Sequence, residues 1–217
     1  MLRLLLFSFL VLTVTPAWAQ VTVFRDRTDF TSATGAVLSF ESFEDDVVDV
    51  QNGTRTIAFD GFSASYNGDD EFGVTNVVTG GRAPTDGDQY LLFRFAVPTE
   101  TIRFFFDTPV RSIGFDITDI EEANLLFETS NGFEGVAGFE SFNGNNQFFG
   151  LTSNDSFDAI TLRQPGQTFR DAFALDAVVV SSVPEPNAML LISSLSLCCG
   201  MQRRRRQRTH NIANTAG

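Results

Sequence analysis

An all-β fold, an antiparallel sandwich with one short helix near its start, is what this sequence of 217 residues predicts. Three observations predict it. Short runs of Phe, Val, Ile and Leu recur along the chain at a spacing of about 8–15 residues, the rhythm of a sandwich or barrel. Clusters of Gly, Asn and Asp separate the runs and supply turn chemistry. Ile113, Phe115 and Ile117 alternate with Gly114 and Asp116, the pattern of a strand with one buried face.

The elements follow in order. "VTVF" at 21–24 opens the domain as a strand. In "FRDRTDFTSATG", Asp26 and Thr28 are candidate caps and Phe30 and Ala33 lie three apart, so a helix of one or two turns is expected, ending at Gly35. Strand-like runs come next: "VLSFESF", "RTIAFDGFSASY", "EFGVTNVV", "QYLLFRFAV", "TIRFFFDT", "RSIGFDIT", "NLLFETS", "FEGVAGFESF", "FDAITLR" and "FALDAVVV". Ile57, Phe59, Gly61 and Ser63 read as a second alternating series. Asn-Gly pairs at 52, 67, 131 and 143 fit tight hairpin turns, and Pro165-Gly166 marks a turn before the last strand. "FESF" occurs at 40 and at 139, but its flanks differ, so it reflects composition and not a repeat.

Both ends carry addressing features. Arg3, an apolar stretch from Leu4 to Val14, and Ala17-Trp18-Ala19 form a signal peptide ending at Ala19 and read by signal peptidase; Pro16 and the strand that follows argue against a core helix. At the other end Pro184-Glu185-Pro186 precedes an uncharged run, Ala188 to Met201, and then Arg203 to Arg206 and Arg208. A helix of that run spans roughly 21 Å, short of the roughly 30 Å hydrocarbon core, so it is a marginal anchor. The arginines resist translocation and hold the tail inside while the rest of the chain lies outside. The order of Pro184, Glu185 and Pro186, the leucines and Arg203, Arg204, Arg205 and Arg206 resembles the PEP-CTERM sorting signal of bacteria. That resemblance implies recognition by an exosortase at the inner membrane, cleavage near the Pro-Glu-Pro, and delivery to the cell surface or an exopolysaccharide matrix. The resulting division is 1–19 signal peptide, 20–182 sandwich domain, 183–208 sorting signal and 209–217 polar tail. A nucleic-acid role for the arginines conflicts with the signal peptide and the oily run, so no nucleic-acid partner is expected.

Gln20 to Val183 holds nine arginines against 26 acidic residues, a net charge of −17. Such a surface repels nucleic acid and anionic lipid and favours cations. Both cysteines, Cys198 and Cys199, lie in the tail, so the core stands without disulfides. The single histidine is His210, and the chain has no lysine. Ser-His-Asp, Cys-His, Schiff-base and His-zinc chemistry are thereby excluded from the domain, no carboxylate pair stands out, and no enzyme is expected.

Candidate ligand-binding residues are few. Tyr66 and Tyr90 are the only tyrosines, and the one tryptophan, Trp18, leaves with the signal peptide, so these two are the candidate sugar platforms. In "DAFALDAVVV", Phe173, Leu175, Ala177 and Val179 share one face, which sets Asp176 on the other with Ala174, Val178 and Val180. A carboxylate in such a strand needs backbone amides, an arginine or a cation. "NGDDEFG" (Asp69, Asp70, Glu71) and "PTDGDQY" (Asp86, Asp88) are oxygen-rich but lack EF-hand spacing. An early "SFESF" together with a final "ALDAV" resembles jelly-roll carbohydrate-binding modules, in which an early-strand Glu and a last-strand Asp help hold a structural Ca²⁺. The resemblance implies a jelly-roll-like sandwich and makes Glu41 and Asp176 candidate metal ligands. The expected function is a structural or adhesive protein of the cell surface or matrix. The alternative is a secreted carbohydrate-binding, lectin-like module; a glycan-active enzyme comes third.

Overall fold

The computed structural model describes residues 20–34, 39–78, 82–120, 124–139, 146–165 and 171–181. The signal peptide (1–19), the sorting signal with Pro184, Glu185, Pro186 and Arg203 to Arg206, and the polar tail lie outside the described residues. Among the described residues no helix is long and apolar enough to cross a membrane.

Antiparallel pairing joins all the strands into one ladder, which folds back as two packed layers. The strands are β1 (Val21–Phe24), β2 (Ser39–Glu41), β3 (Asp49–Asn52), β4 (Arg55–Ala58), β5 (Phe62–Asn67), β6 (Glu71–Thr75), β7 (Tyr90–Phe95), β8 (Thr101–Thr118), β9 (Asn124–Thr129), β10 (Glu134–Gly138), β11 (Asn146–Arg163) and β12 (Asp171–Ser181). Layer one runs β4, β5, the first half of β8, the second half of β11, β9, β10. Layer two runs β3, β6, β7, β12, the second half of β8, the first half of β11, β1, with β2 beside the end of β12.

β8 and β11 belong to both layers. Each has 18 residues, and at about 3.3 Å per residue such a strand is too long for one sheet of a small sandwich. The pairing slips between Thr152 and Phe157 and again before Ala159, where the two strands turn the corner together. "TIRFFFDT" and "RSIGFDIT", expected as two strands, are therefore the two halves of one. "RTIAFDGFSASY" departs the other way. Phe59 donates to the Phe62 carbonyl at 2.9 Å, Gly61 has φ +82°, and Ile57 pairs with Ala64, so the segment is the β4–β5 hairpin and its alternation stops at the turn. Asn131-Gly132 makes the expected hairpin, between β9 and β10, with Gly132 donating to the Thr129 carbonyl at 2.9 Å. Asn52-Gly53 and Asn67-Gly68 instead carry the chain between layers, because β3 pairs with β6 while β4 and β5 pair with each other.

Phenylalanine fills the space between the layers. Tyr66 meets Phe72 at 5.5 Å, Phe104 meets Phe115 at 6.3 Å and Phe127 meets Phe149 at 5.6 Å, each pair joining one layer to the other. Fully burying one such ring stabilises by about 1.5–3 kcal/mol, which is how the domain holds without a disulfide.

The helix α1 (Arg27–Thr34) begins where Asp26 accepts the Asp29 amide at 3.0 Å, and that hydrogen bond holds the Asp26 carboxyl below its usual range. Its buried residues are Phe30 and Thr34, four apart; Ala33 is exposed, so the expected Phe30–Ala33 face is off by one position. Phe30 lies on the outer face of layer two against Phe148 and Val179. Gly114 and Gly150, paired neighbours on β8 and β11, make its seat: a Cβ added to them would stand 2.8 Å and 2.6 Å from the Phe30 ring. Arg27 then bonds Asp116 at 2.9 Å and the Ala177 carbonyl at 3.1 Å.

Candidate functional site

The outer face of layer one has no helix over it among the described residues. "TIRFFFDT" explains what it displays. In a strand, neighbouring side chains point to opposite faces, so three consecutive phenylalanines cannot all enter one core. Phe104 and Phe106 are buried and Phe105, between them, stands 40% exposed in the middle of the sheet. Arg103, on the same face two residues earlier, lays its guanidinium 4.6 Å from the Phe105 ring centre.

Strand register extends this face into a polar row. Thr56 pairs with Ser65, Ser65 with Arg103, Arg103 with Thr161, Thr161 with Glu128, and Glu128 with Glu134. Residues so paired share one face, so hydroxyls, a guanidinium and two carboxylates line up across six strands, about 24 Å at the usual spacing between strands. Thr56 and Ser65 hydroxyls lie 3.0 Å apart, and every member of the row is partly or fully exposed. The row ends in a groove of about 230 Å³ bounded by Leu126, Glu128, Glu134, Val136 and Arg163. Glu128 and Glu134 are directly opposite one another, a pairing that by itself destabilises a sheet. This face offers donors, acceptors and one aromatic platform along a line.

Neither tyrosine contributes to it. Tyr66 is 0% exposed, its ring stacks on Phe72 and its hydroxyl donates to the Arg94 carbonyl. Tyr90 is 1% exposed and donates to the Val77 carbonyl at 2.6 Å. Burial raises both hydroxyl pKa values. The assignment of these residues as exposed sugar platforms is corrected: each large ring with one polar tip was drawn inward, because a backbone carbonyl satisfies the tip, and Tyr90 only borders a cleft on layer two. The exposed ring is a phenylalanine, and the triple Phe was the signal that could have found it.

Asp176 keeps the face the alternation gave it, opposite Phe173 and Leu175 and with Ala174, but Val178 and Val180 do not share that face. Ala177 has φ +49° and the β12–β8 register slips between Asp176 and Val179, so a bulge shifts the phase. Phe173, Leu175, Val178 and Val180 enter the core, while Val179 packs under Phe30. The carboxylate is 1% exposed, and its oxygens accept from the amides of Thr85 (2.6 Å), Asp86 (2.7 Å) and Ala177 (2.6 Å). Burial raises its pKa, opposed by those amide hydrogen bonds. The Thr85 hydroxyl donates to Asp116, which faces Asp176 across the ladder, at 2.8 Å. Asp176 thus anchors the segment that carries Asp86 and Asp88, the latter's amide being held in turn by Glu44 at 2.7 Å. In the other acidic loop, Asp70 and Glu71 meet Arg94 at 3.8 Å and 3.0 Å, and the Asp69 amide donates to Glu100.

Glu41 pairs with Val178 and accepts the Phe43 amide at 2.7 Å. Among the described residues no group of three or more His, Cys, Asp or Glu side chains is arranged to hold a metal ion. Near Glu41, Asp46 has a buried oxygen without a hydrogen-bond partner among the described residues, and burial followed by repulsion from Glu41 and Asp45 pushes its pKa up to about 6. A carboxyl whose pKa rises on folding binds its proton more tightly in the native state. Its contribution is therefore present at low pH and is lost as pH climbs through about 6. In EDTA, stability should fall by about 1 kcal/mol between roughly pH 4 and 6.5, after allowance for solvent around a half-buried group. Asp46→Asn should remove that step and raise the melting temperature at pH 7.5. The same variant tests the Ca²⁺ reading of Glu41, since a cation held there would make Asp46→Asn destabilising when Ca²⁺ is added.

No protein family and no curated protein matches the chain. Solved structures similar to it include a point variant of the family 29 carbohydrate-binding module CBM29-2, at 13% identity over 63% of this chain and 92% of the other, with a TM-score of 0.37. The CBM22-1 xylan-binding domain of Paenibacillus barcinonensis Xyn10C shows 16% identity over 69% and 96%, with a TM-score of 0.39. The family 11 carbohydrate-binding module of a cellulosomal cellulase of Clostridium thermocellum shows 11% over 68% and 96%, with a TM-score of 0.36.

Proposed function

We propose that the chain is an exported cell-surface or matrix protein whose sandwich binds neutral polysaccharide along the open face of layer one. One observation carries the reading: register sets a line of hydroxyls, Arg103 and carboxylates beside the exposed Phe105. Sugar rings present an apolar face and a rim of hydroxyls that both donate and accept. Phe105 suits the first, and the mixed row suits the second. The charge of −17 favours a neutral polymer over an acidic one. The segment 183–208, read as a PEP-CTERM signal, supplies delivery to the matrix where such polymers lie. The reading assigns binding and adhesion without turnover, consistent with a domain that holds no histidine, cysteine or lysine.

The experiment is capture on immobilised hydroxyethylcellulose, arabinoxylan and galactomannan, using protein released from the surface of an exosortase-bearing host. Its mass should lack Arg203 to Arg206. Binding to at least one polymer should weaken tenfold or more in Phe105→Ala and several-fold in Arg103→Ala. Both side chains are exposed, so the melting temperature should move little. Capture by none of the polymers, or full capture by Phe105→Ala, would overturn the reading.

A further inference from the structure

We infer that the outer face of layer two carries a second sugar-binding cleft, pointing away from the first face, so that one molecule cross-links two polysaccharide chains. This rests on the polysaccharide reading above and adds a second site to it.

The cleft, about 260 Å³, lies where β3, β6 and β7 meet. Its floor follows from one row of paired residues: Val50 opposite Gly73, Gly73 opposite Leu92, Leu92 opposite Ala174. Gly73 has φ +154°, and a Cβ there would stand 1.9 Å from the Asp49 carbonyl oxygen, so glycine is what lets β3 lie close against β6 and bring Val50 beside Leu92. Val50 and Leu92 pack with Tyr90 and Ala174 as a small apolar cluster of their own, apart from the main core. On one wall Arg94 bonds Glu71 at 3.0 Å, and both side chains keep solvent exposure of 26% and 39%. Arg82 lines the cleft as well and bonds Asp119 at 3.6 Å.

A guanidinium beside a carboxylate above an apolar floor suits neighbouring hydroxyls of a sugar ring: one donates to Glu71 and the next accepts from Arg94. Arg82, Arg94 and Glu71 line the cleft, and Asp119 and Asp70, which pair with the two arginines, offset their charge, so the cleft has no net positive charge to draw an anionic sugar and a neutral one is expected. The volume admits a single ring, a chain end or branch, whereas layer one offers an extended track. Leu92 and Arg94 point outward from layer two, and Arg103 and Phe105 outward from layer one, with the phenylalanine core between them. Two packed sheets lie about 10 Å apart, and the two sites open on opposite sides of them. Occupation of both by separate chains bridges those chains, and the bridge gains avidity as each chain binds further copies.

The test is light scattering from hydroxyethylcellulose, arabinoxylan and galactomannan solutions titrated with the purified protein, alongside capture on the same polymers. For a captured polymer, scattering should rise several-fold and then fall at excess protein, as single-ended complexes replace bridges. Phe105→Ala and Arg94→Gln should each abolish the rise, and Arg94→Gln should keep capture through layer one. Glu71→Gln, an exposed change that spares the guanidinium, guards against an Arg94 variant that fails to fold, and it should also abolish the rise. Capture without any rise, or an undiminished rise in Glu71→Gln, would overturn the second site while leaving the first. Absence of capture by every polymer would overturn both.

Discussion

Asp176→Leu is expected to lower the melting temperature by roughly 6–12 °C. The carboxylate is 1% exposed and accepts from three amides, so leucine leaves the buried Ala177 N–H and the part-buried Thr85 and Asp86 N–H groups without this acceptor. An unmade buried hydrogen bond costs about 1–3 kcal/mol, and relief of the buried charge returns part of the sum, so a net loss of about 3 kcal/mol is reasonable. In a domain of this size each kcal/mol moves the melting temperature by about 2–4 °C. Asp176→Asn keeps one oxygen acceptor and should cost about half as much. Amide exchange should localise the change to Thr85 and Asp86, which the carboxylate reaches across 91 and 90 positions of sequence. A leucine variant that melts like the wild type, with those amides still protected, would show that the carboxylate does not hold this segment.

Gly150→Val should cost about 3 kcal/mol and loosen α1. A Cβ at Gly150 would stand 2.6 Å from the Phe30 ring and 2.7 Å from the Phe148 ring, below any contact real Cβ atoms make. Overpacking of this kind typically costs about 1–3 kcal/mol, and the larger end applies because valine adds two methyls beyond the Cβ. Phe30 is the ring that fixes the helix to layer two, so amides of Arg27–Thr34 should lose protection. In a Phe30→Ala background the same valine should cost less than about 1 kcal/mol, since the ring it strikes has gone. Equal costs in the two backgrounds would mean that the glycine is required by something other than Phe30.

Local pattern made much of the fold legible. Ile113, Phe115 and Ile117 alternate because β8 buries one face there, and all three are 0% exposed. Asp26 capped the helix where a cap residue was visible. Other features were present in the sequence but ambiguous. The chain reads "IRFFFD" whichever phenylalanine faces out, and only the burial of Phe104 and Phe106 leaves Phe105 for solvent. Tyr66 and Tyr90 were judged by residue type, and type does not say which backbone carbonyl waits in the core for a phenol. Val178 and Val180 were set beside Asp176 by strict alternation, which one residue of bulge at Ala177 defeats.

By itself the sequence determined an all-β chain, the position of most strands, the start of α1 and the absence of histidine, cysteine and lysine chemistry from the domain. Each of these depends on neighbours a few residues apart, where backbone geometry and side-chain period act directly. Only the tertiary structure decided that β8 and β11 serve both layers, that Thr56, Ser65, Arg103, Thr161, Glu128 and Glu134 form one row, and that Val50, Leu92 and Arg94 meet at one cleft. Those outcomes are set by pairing between segments tens of residues apart. A shift of one residue in register would turn every side chain of a strand to its other face, so no local pattern contains the answer.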